Sequence, residues 1–376
     1  MRFRSVKLGA TALGASVALG GALLRCTLPD LPPPPAAQAT RVGLPRGAIV
    51  SLPAGSTLDR AALVASLKEL KAITVILEAS ADATGQSVAE RVALAIDLQR
   101  ELDADVLVGT YRASAYSGKP MDVLLQKDAA FTSCVPGGPR LDAELPIIDK
   151  LRLCSQDVST RIADALAAAN ASPRVGCYIT HEPELAAALS AEGRTKLGDL
   201  LRDSAAACTS AKRLVAYSTL VTAGSGDPAT AGLVLRDVLA PTGVNLVMLH
   251  DGVASVDPAK PRRGAPYYLG VRTALADRPP VVNVWATVDA FDCATPGCDR
   301  TRPTASARFT EQLCGARFRV EGIITREYLH DFAGRPLVTS AGDASPDLQA
   351  ILDDADASAQ LRSGYLAWAD AGAPCP

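Results

Sequence analysis

No block of clustered lysine and arginine occurs in this chain. Nucleic acid and anionic membrane surfaces are gripped by grouped positive charge, so neither is an expected partner of the folded part. No Gly-x-Gly-x-x-Gly follows the first β-rich run, which sets aside a dinucleotide cradle. Gly-x-Ser-x-Gly is also missing, and Ala223-Gly224-Ser225-Gly226-Asp227 reads as a loop rather than a nucleophile elbow. No two cysteines stand at Cys-x-x-Cys spacing and no histidine adjoins one, so no zinc centre and no cofactor is expected. Histidine occurs three times and aromatic residues make up 4% of the chain, so the places where they fall carry information.

What is present begins with an export signal. Arg2, Arg4 and Lys7 precede an apolar stretch from Leu8 to Leu24, and Ala37-Gln38-Ala39 offers a small-x-small cleavage site. Residues 1–39 thus read as signal peptide and linker, with Leu28 to Pro35 a stiff, extended spacer. Cys26 follows Leu23-Leu24-Arg25, half of a lipoprotein signal, so membrane attachment through the N-terminus or a lipidated Cys26 is a further expectation. The chain is expected to be periplasmic, cell-surface or secreted. Residues 1–39 carry four cations and one acid, and their removal takes the net charge from −2 to −5. Apart from Cys26, eight of the nine cysteines remain, an even number that in an exported protein implies disulfides. Cys134 with Cys154 would staple a long loop, and Cys293 with Cys298 a tight one.

Residues 45–372 alternate short apolar runs with amphipathic stretches. The strand candidates are Gly47–Pro53, Ile73–Ala79, Asp105–Tyr111, Arg174–His181, Arg213–Leu220, Val244–His250, Val281–Val288 and Val320–Thr325. Each is mostly Val, Ile and Leu, as parallel strands covered on both faces should be. Helical stretches such as Leu58–Lys71, Ser87–Leu102, Glu184–Cys208 and Thr304–Phe318 separate them, and Ser345–Trp368 supplies a closing helix. Eight strand–helix repeats without doubled strands predict a single-domain α/β protein, a (β/α)8 TIM barrel. The one long insertion, from Arg112 to about Ser155, follows strand three and should lie on the rim where such barrels place their sites.

All three histidines (His181, His250, His330) fall at or just past strand ends, as do Tyr111, Tyr178, Tyr217, Tyr328 and Trp285. If Glu182 points into the barrel, alternation along strand four puts Thr180 and Tyr178 on the same inward face and turns His181 and Cys177 toward the helices, where Cys208 could meet Cys177. Continued to strands six and seven, the same reading makes Asp251 and Asp289 inward-facing, with Tyr178 and Trp285 deeper. Carboxylates on opposite sides of a barrel mouth suit glycosidic cleavage, in which one protonates the leaving oxygen and the other stabilises or attacks the sugar carbon. Glu182 is the candidate general acid/base, Asp289 the nucleophile or electrostatic partner, and Asp251 an orienting group. Tyr178, Trp285, His250, Tyr217, Tyr111, Tyr328 and His330 are candidate contacts to a carbohydrate substrate.

Three segments carry a family resemblance: Tyr178-Ile-Thr-His181-Glu182, Leu249-His250-Asp251-Gly252-Val253 and Trp285-Ala-Thr-Val-Asp289-Ala-Phe291. Over about Gly47 to Phe332 the chain resembles the bacterial barrels grouped as domain of unknown function 4434. The resemblance implies an exported, glycosidase-like (β/α)8 barrel of undefined substrate. A looser likeness joins it to retaining glycosidases with Asn-Glu-Pro at strand four and Glu at strand seven. Here His181-Glu182-Pro183 and Asp289 stand instead, which opens inverting or inactive readings.

Two alternatives accompany the glycosidase reading. One is a non-catalytic surface barrel that binds a glycan or a partner. The other is a metal-dependent barrel hydrolase with ligands drawn from Glu182, His250, Asp251, Asp289 and His330, although strand one lacks the His-x-His pair common in such enzymes.

Overall fold

The computed structural model describes residues 46–51, 56–78, 87–134, 140–180, 183–276, 281–293, 301–326, 328–340 and 346–375. The expected signal peptide, Cys26, His181, Glu182 and Cys298 lie outside the described residues, as does the side chain of His330.

Eight parallel strands close into one barrel: β1 (Arg46–Val50), β2 (Ala72–Leu77), β3 (Asp105–Gly109), β4 (Val175–Ile179), β5 (Val215–Leu220), β6 (Leu246–His250), β7 (Asn283–Asp289) and β8 (Gly322–Arg326). Each pairs with its neighbour in chain order and β8 pairs back onto β1, so the barrel has no open edge. This is the predicted (β/α)8 barrel, and all eight strand candidates are present with ends shifted by at most three residues.

Half of the long helices that cover the strands start where a side chain satisfies their first N–H groups. In α1 (Arg60–Leu70) the Asp59 carboxylate accepts from Ala62 N at 2.9 Å. In α2 (Val88–Leu102) Ser87 and Glu90 form a reciprocal capping box. Next come α3 (Ile147–Ala168), α4 (Ala191–Ser210), α5 (Pro228–Leu239), α6 (Ala265–Leu275), α7 (Ser306–Ala316) and α8 (Ala355–Asp370). Their buried faces and the outward faces of the strands share one apolar shell, which includes Val50, Leu63, Val106, Leu201, Val247 and Phe309.

Two short antiparallel pairs qualify the expectation of undoubled strands. Ser56–Leu58 pairs with Val338–Ser340, and Phe291–Cys293 pairs with Thr301–Pro303. Both are built on loops beyond strand ends, where three-residue runs leave too little periodicity to read.

The insertion after β3 lies on the rim as expected, but α3 begins at Ile147, earlier than the sequence suggested. Lys150 gathers described parts of the insertion around α3. Fully buried on α3, it donates through Nζ to the carbonyl oxygens of Asp128 (2.6 Å), Phe131 (3.0 Å) and Ala143 (3.4 Å). All three of its donors are thereby engaged. The Cys134–Cys154 disulfide ties the same loop to α3, and Cys177–Cys208 ties β4 to α4, both as expected. Cys314–Cys375 joins α7 to the C-terminus, and Cys293 is also disulfide-bonded.

Candidate functional site

Inside the barrel one residue from each strand fills the central layer: Ile49, Ile76, Leu107, Tyr178, Ala216, Met248, Trp285 and Ile324. Side chains alternate along a strand, so the next inward position lies two residues on. Those positions are Ser51, Glu78, Gly109, Thr180, Ser218, His250, Thr287 and Arg326. In one step the filling changes from apolar to polar, and this polar ring is the floor of the barrel mouth. Thr287 Oγ1 is buried in it without a hydrogen-bond partner among the described residues.

On the β6–β8 side, His250 Nε2 meets Asp289 Oδ1 at 2.8 Å and His250 Nδ1 meets Arg326 Nη1 at 3.1 Å. The second Asp289 oxygen accepts from Ala254 N at 3.0 Å, so both carboxylate oxygens are engaged, and Asp289 has no exposed surface. Burial pushes the Asp289 carboxyl up, but its contacts with His250, the Ala254 N–H and the field of Arg326 outweigh that and hold it below the usual range. Asp289 is therefore closed off beside His250, with both oxygens engaged.

On the β1–β3 side, Glu78 Oε1 pairs with Arg112 Nη1 at 2.8 Å, and Glu78 Oε2 accepts from Ser51 Oγ at 2.5 Å. Glu78 is buried, while Arg112, at the start of the insertion, keeps a fifth of its side chain exposed. Neither Glu78 nor Arg326 was a sequence candidate. The usable signal is alternation continued past the strand end: Ile76 to Glu78, and Ile324 to Arg326.

Asp251 corrects the sequence reading. Met248 fills the barrel interior, so His250 shares its inward side and Asp251 turns outward with Val247 and Leu249. There Asp251 Oδ2 accepts from Tyr268 OH on α6 at 2.8 Å, and Oδ1 accepts from Gln312 Nε2 on α7 at 2.8 Å and Val253 N at 3.2 Å. Gln312 Oε1 in turn accepts from Asp289 N at 3.3 Å, which links the two acids through α7. Burial first, and then the nearby Asp289 charge, push the Asp251 carboxyl up to about 6. Asp251 braces the strand end from behind and does not line the mouth.

Several aromatic candidates are also displaced. Tyr217 lies on the outward face of β5 in the helix-side core, without exposed surface. Tyr328 is buried, with its hydroxyl 2.7 Å from Ser66 Oγ on α1 and 3.1 Å from Arg362 Nη1 on α8. Trp285 and Tyr178 do face inward, as expected, but as packing. The Trp285 ring lies so close to Gly322 and Gly47 that a Cβ at Gly322 would come within 2.2 Å of it. Four residues before Asp289 on a strand rising ~3.3 Å per residue, Trp285 lies about 13 Å further back along the strand. Tyr111 stays at the rim, half-buried and stacked on Phe131 of the insertion at 6.3 Å between ring centroids. His250 is at the mouth. Glu182 and the His330 side chain are not among the described residues.

No group of three or more His, Cys, Asp or Glu that could hold a metal ion occurs among the described residues. No described helix is long and apolar enough to cross a membrane.

No family model and no curated protein matches the chain, so the resemblance to domain of unknown function 4434 rests on its short motifs alone. Solved structures do match. One is a Bacteroides thetaiotaomicron protein that carries the name of an alpha-L-fucosidase, with TM-score 0.52 and 14% identity over 85% of this chain and 96% of that one. A broad specificity endoglucanase from an uncultured bacterium aligns with TM-score 0.48 and 12% identity, over 85% and 96% of the two chains. A D-allulose 3-epimerase from a Methylomonas species aligns with TM-score 0.41 and 14% identity, over 86% and 96%. The first of these likenesses shows that the chain has the (β/α)8 fold of that protein.

Proposed function

We propose that this chain is an exported glycoside hydrolase whose barrel mouth cleaves a glycosidic bond in an extracytoplasmic glycan by acid/base chemistry. The observation that supports this best is the polar ring, in which an imidazole, a guanidinium and the Glu78 carboxylate gather on an otherwise apolar barrel, with Asp289 against the imidazole. Glu182, two residues beyond the inward-facing Thr180, is the proposed proton donor. Asp289 takes the electrostatic role rather than that of nucleophile, because both its oxygens are held by His250 and Ala254. Disulfides on α3, α4 and α7 accord with an oxidising compartment.

The same engagement of Asp289 favours a second reading, a barrel that binds glycan without cleaving it. Incubation of the purified chain with a panel of cell-wall and surface oligosaccharides, resolved by chromatography, tests both. Cleavage that Glu182→Gln abolishes supports the hydrolase. Retention of an oligosaccharide by both chains, with no cleavage by either, supports the binding barrel.

A further inference from the structure

Three residues from consecutive strand ends stand in line at the mouth: Asp289 on β7, His250 on β6 and Arg326 on β8. Their contacts restrict where protons can lie. A guanidinium has donors only and keeps its charge in proteins. The 3.1 Å contact from Arg326 Nη1 therefore needs a lone pair on His250 Nδ1. A neutral imidazole with a bare Nδ1 carries its hydrogen on Nε2, and that atom is 2.8 Å from Asp289 Oδ1, which accepts it. The carboxylate cannot rely on water for its charge, since it has no exposed surface. Asp251, behind β6, is a second acid whose field reaches this line.

We infer that Arg326 is a positioning residue that fixes His250 as the uncharged Nε2–H tautomer and serves, across that ring, as the countercharge of buried Asp289. The inference deepens the proposed function, because an imidazole so held is not the proton donor of the site. That task falls to another group, and the line instead sets where the Arg326 guanidinium stands at the mouth. Electrostatics gives the consequence of losing it. With Arg326 gone, Nδ1 loses the donor that kept it bare, and the sealed carboxylate draws a proton onto the ring. The imidazole then becomes an imidazolium that replaces the missing positive charge.

The chain has only three histidines, so nitrogen-15 NMR of the labelled full-length protein can follow each ring, with His250→Gln identifying the resonances. At pH 7 the wild type should show His250 as one neutral tautomer with the proton on Nε2. Arg326→Met, which keeps an apolar stem without donors, should shift His250 to the doubly protonated pattern. Arg326→Lys, which restores one cationic donor, should return the neutral Nε2–H pattern. Circular dichroism checks that each variant is folded, and Arg326→Ala supplies the donor-free comparison if Arg326→Met is not. A doubly protonated His250 in the wild type overturns the inference. So does an Nδ1–H tautomer there, or a ring unchanged in a folded donor-free variant. The readout needs no substrate, so failure of the hydrolase proposal would appear separately, as absence of cleavage with the tautomer intact.

Discussion

Over β1–β3, Arg112 meets Glu78 directly, whereas over β6–β8 an imidazole stands between Arg326 and Asp289. The two clusters use the same charges at the same level of one barrel, but their settings differ. Arg112 keeps contact with solvent, so water can take over part of its charge if Glu78 is removed. Asp289 is enclosed on every side, and its charge depends on the groups around it. A direct pair at a rim can be lost at modest cost, while a mediated pair with a sealed acid cannot.

That contrast is sharpest under truncation. Asp289→Ala strands the His250 and Ala254 N–H groups in a closed site and should destabilise the protein by about 3–5 kcal/mol, read by urea denaturation. Glu78→Gln keeps a side-chain oxygen for Ser51 or Arg112 and should cost about 1–2 kcal/mol in the same assay. Equal losses for the two would erase the distinction between the clusters.

Asp251 provides a pH test of the β6–β8 side. Its folded carboxyl titrates at about 6, above an unfolded value near 3.9. Between those values the folded state binds more protons than the unfolded state, so stability from this group is present at low pH and falls as pH rises through the window. The full swing is about 3 kcal/mol by linkage. Asp289, held low, acts in the opposite sense: its contribution is present above the ordinary carboxylate value and is lost as pH falls through its folded value. Asp251→Asn should therefore flatten the slope of stability between about pH 4 and 6, measured by denaturation at stepped pH, and leave the acid limb. Smallest of all, Arg112→Lys, which keeps a cation beside the buried Glu78 carboxylate, should cost under about 1 kcal/mol. A larger loss, approaching that of Asp289→Ala, would show that the two sides are equivalent.

The strands were legible because a parallel strand covered on both faces must be apolar throughout, and these runs stand out between helical stretches. Cys177 with Cys208 was legible from alternation within β4. Alternation was harder to use at strand ends. On β6 the assumed face was one residue out, which exchanged the places of His250 and Asp251. Tyr217 and Tyr328 sat at strand ends as expected, but on the helix side, where their rings fill the shell. Glu78 and Arg326 each follow an Ile by two residues, and only knowledge of which Ile faces inward marks them out.

The sequence by itself determined the repeat of eight strands and helices, because burial on both strand faces is a local property of the chain, and it offered Cys134 with Cys154 and Cys177 with Cys208 as possible disulfides that the structure then paired. Which strand ends converge, which acid meets His250 and which braces α6 and α7 were decided only by the tertiary structure. A one-residue change in the inward phase moves a side chain to the opposite face of the barrel wall. That phase is set by packing of the central layer, where Trp285 needs the space left at Gly47 and Gly322 on strands far from it in sequence.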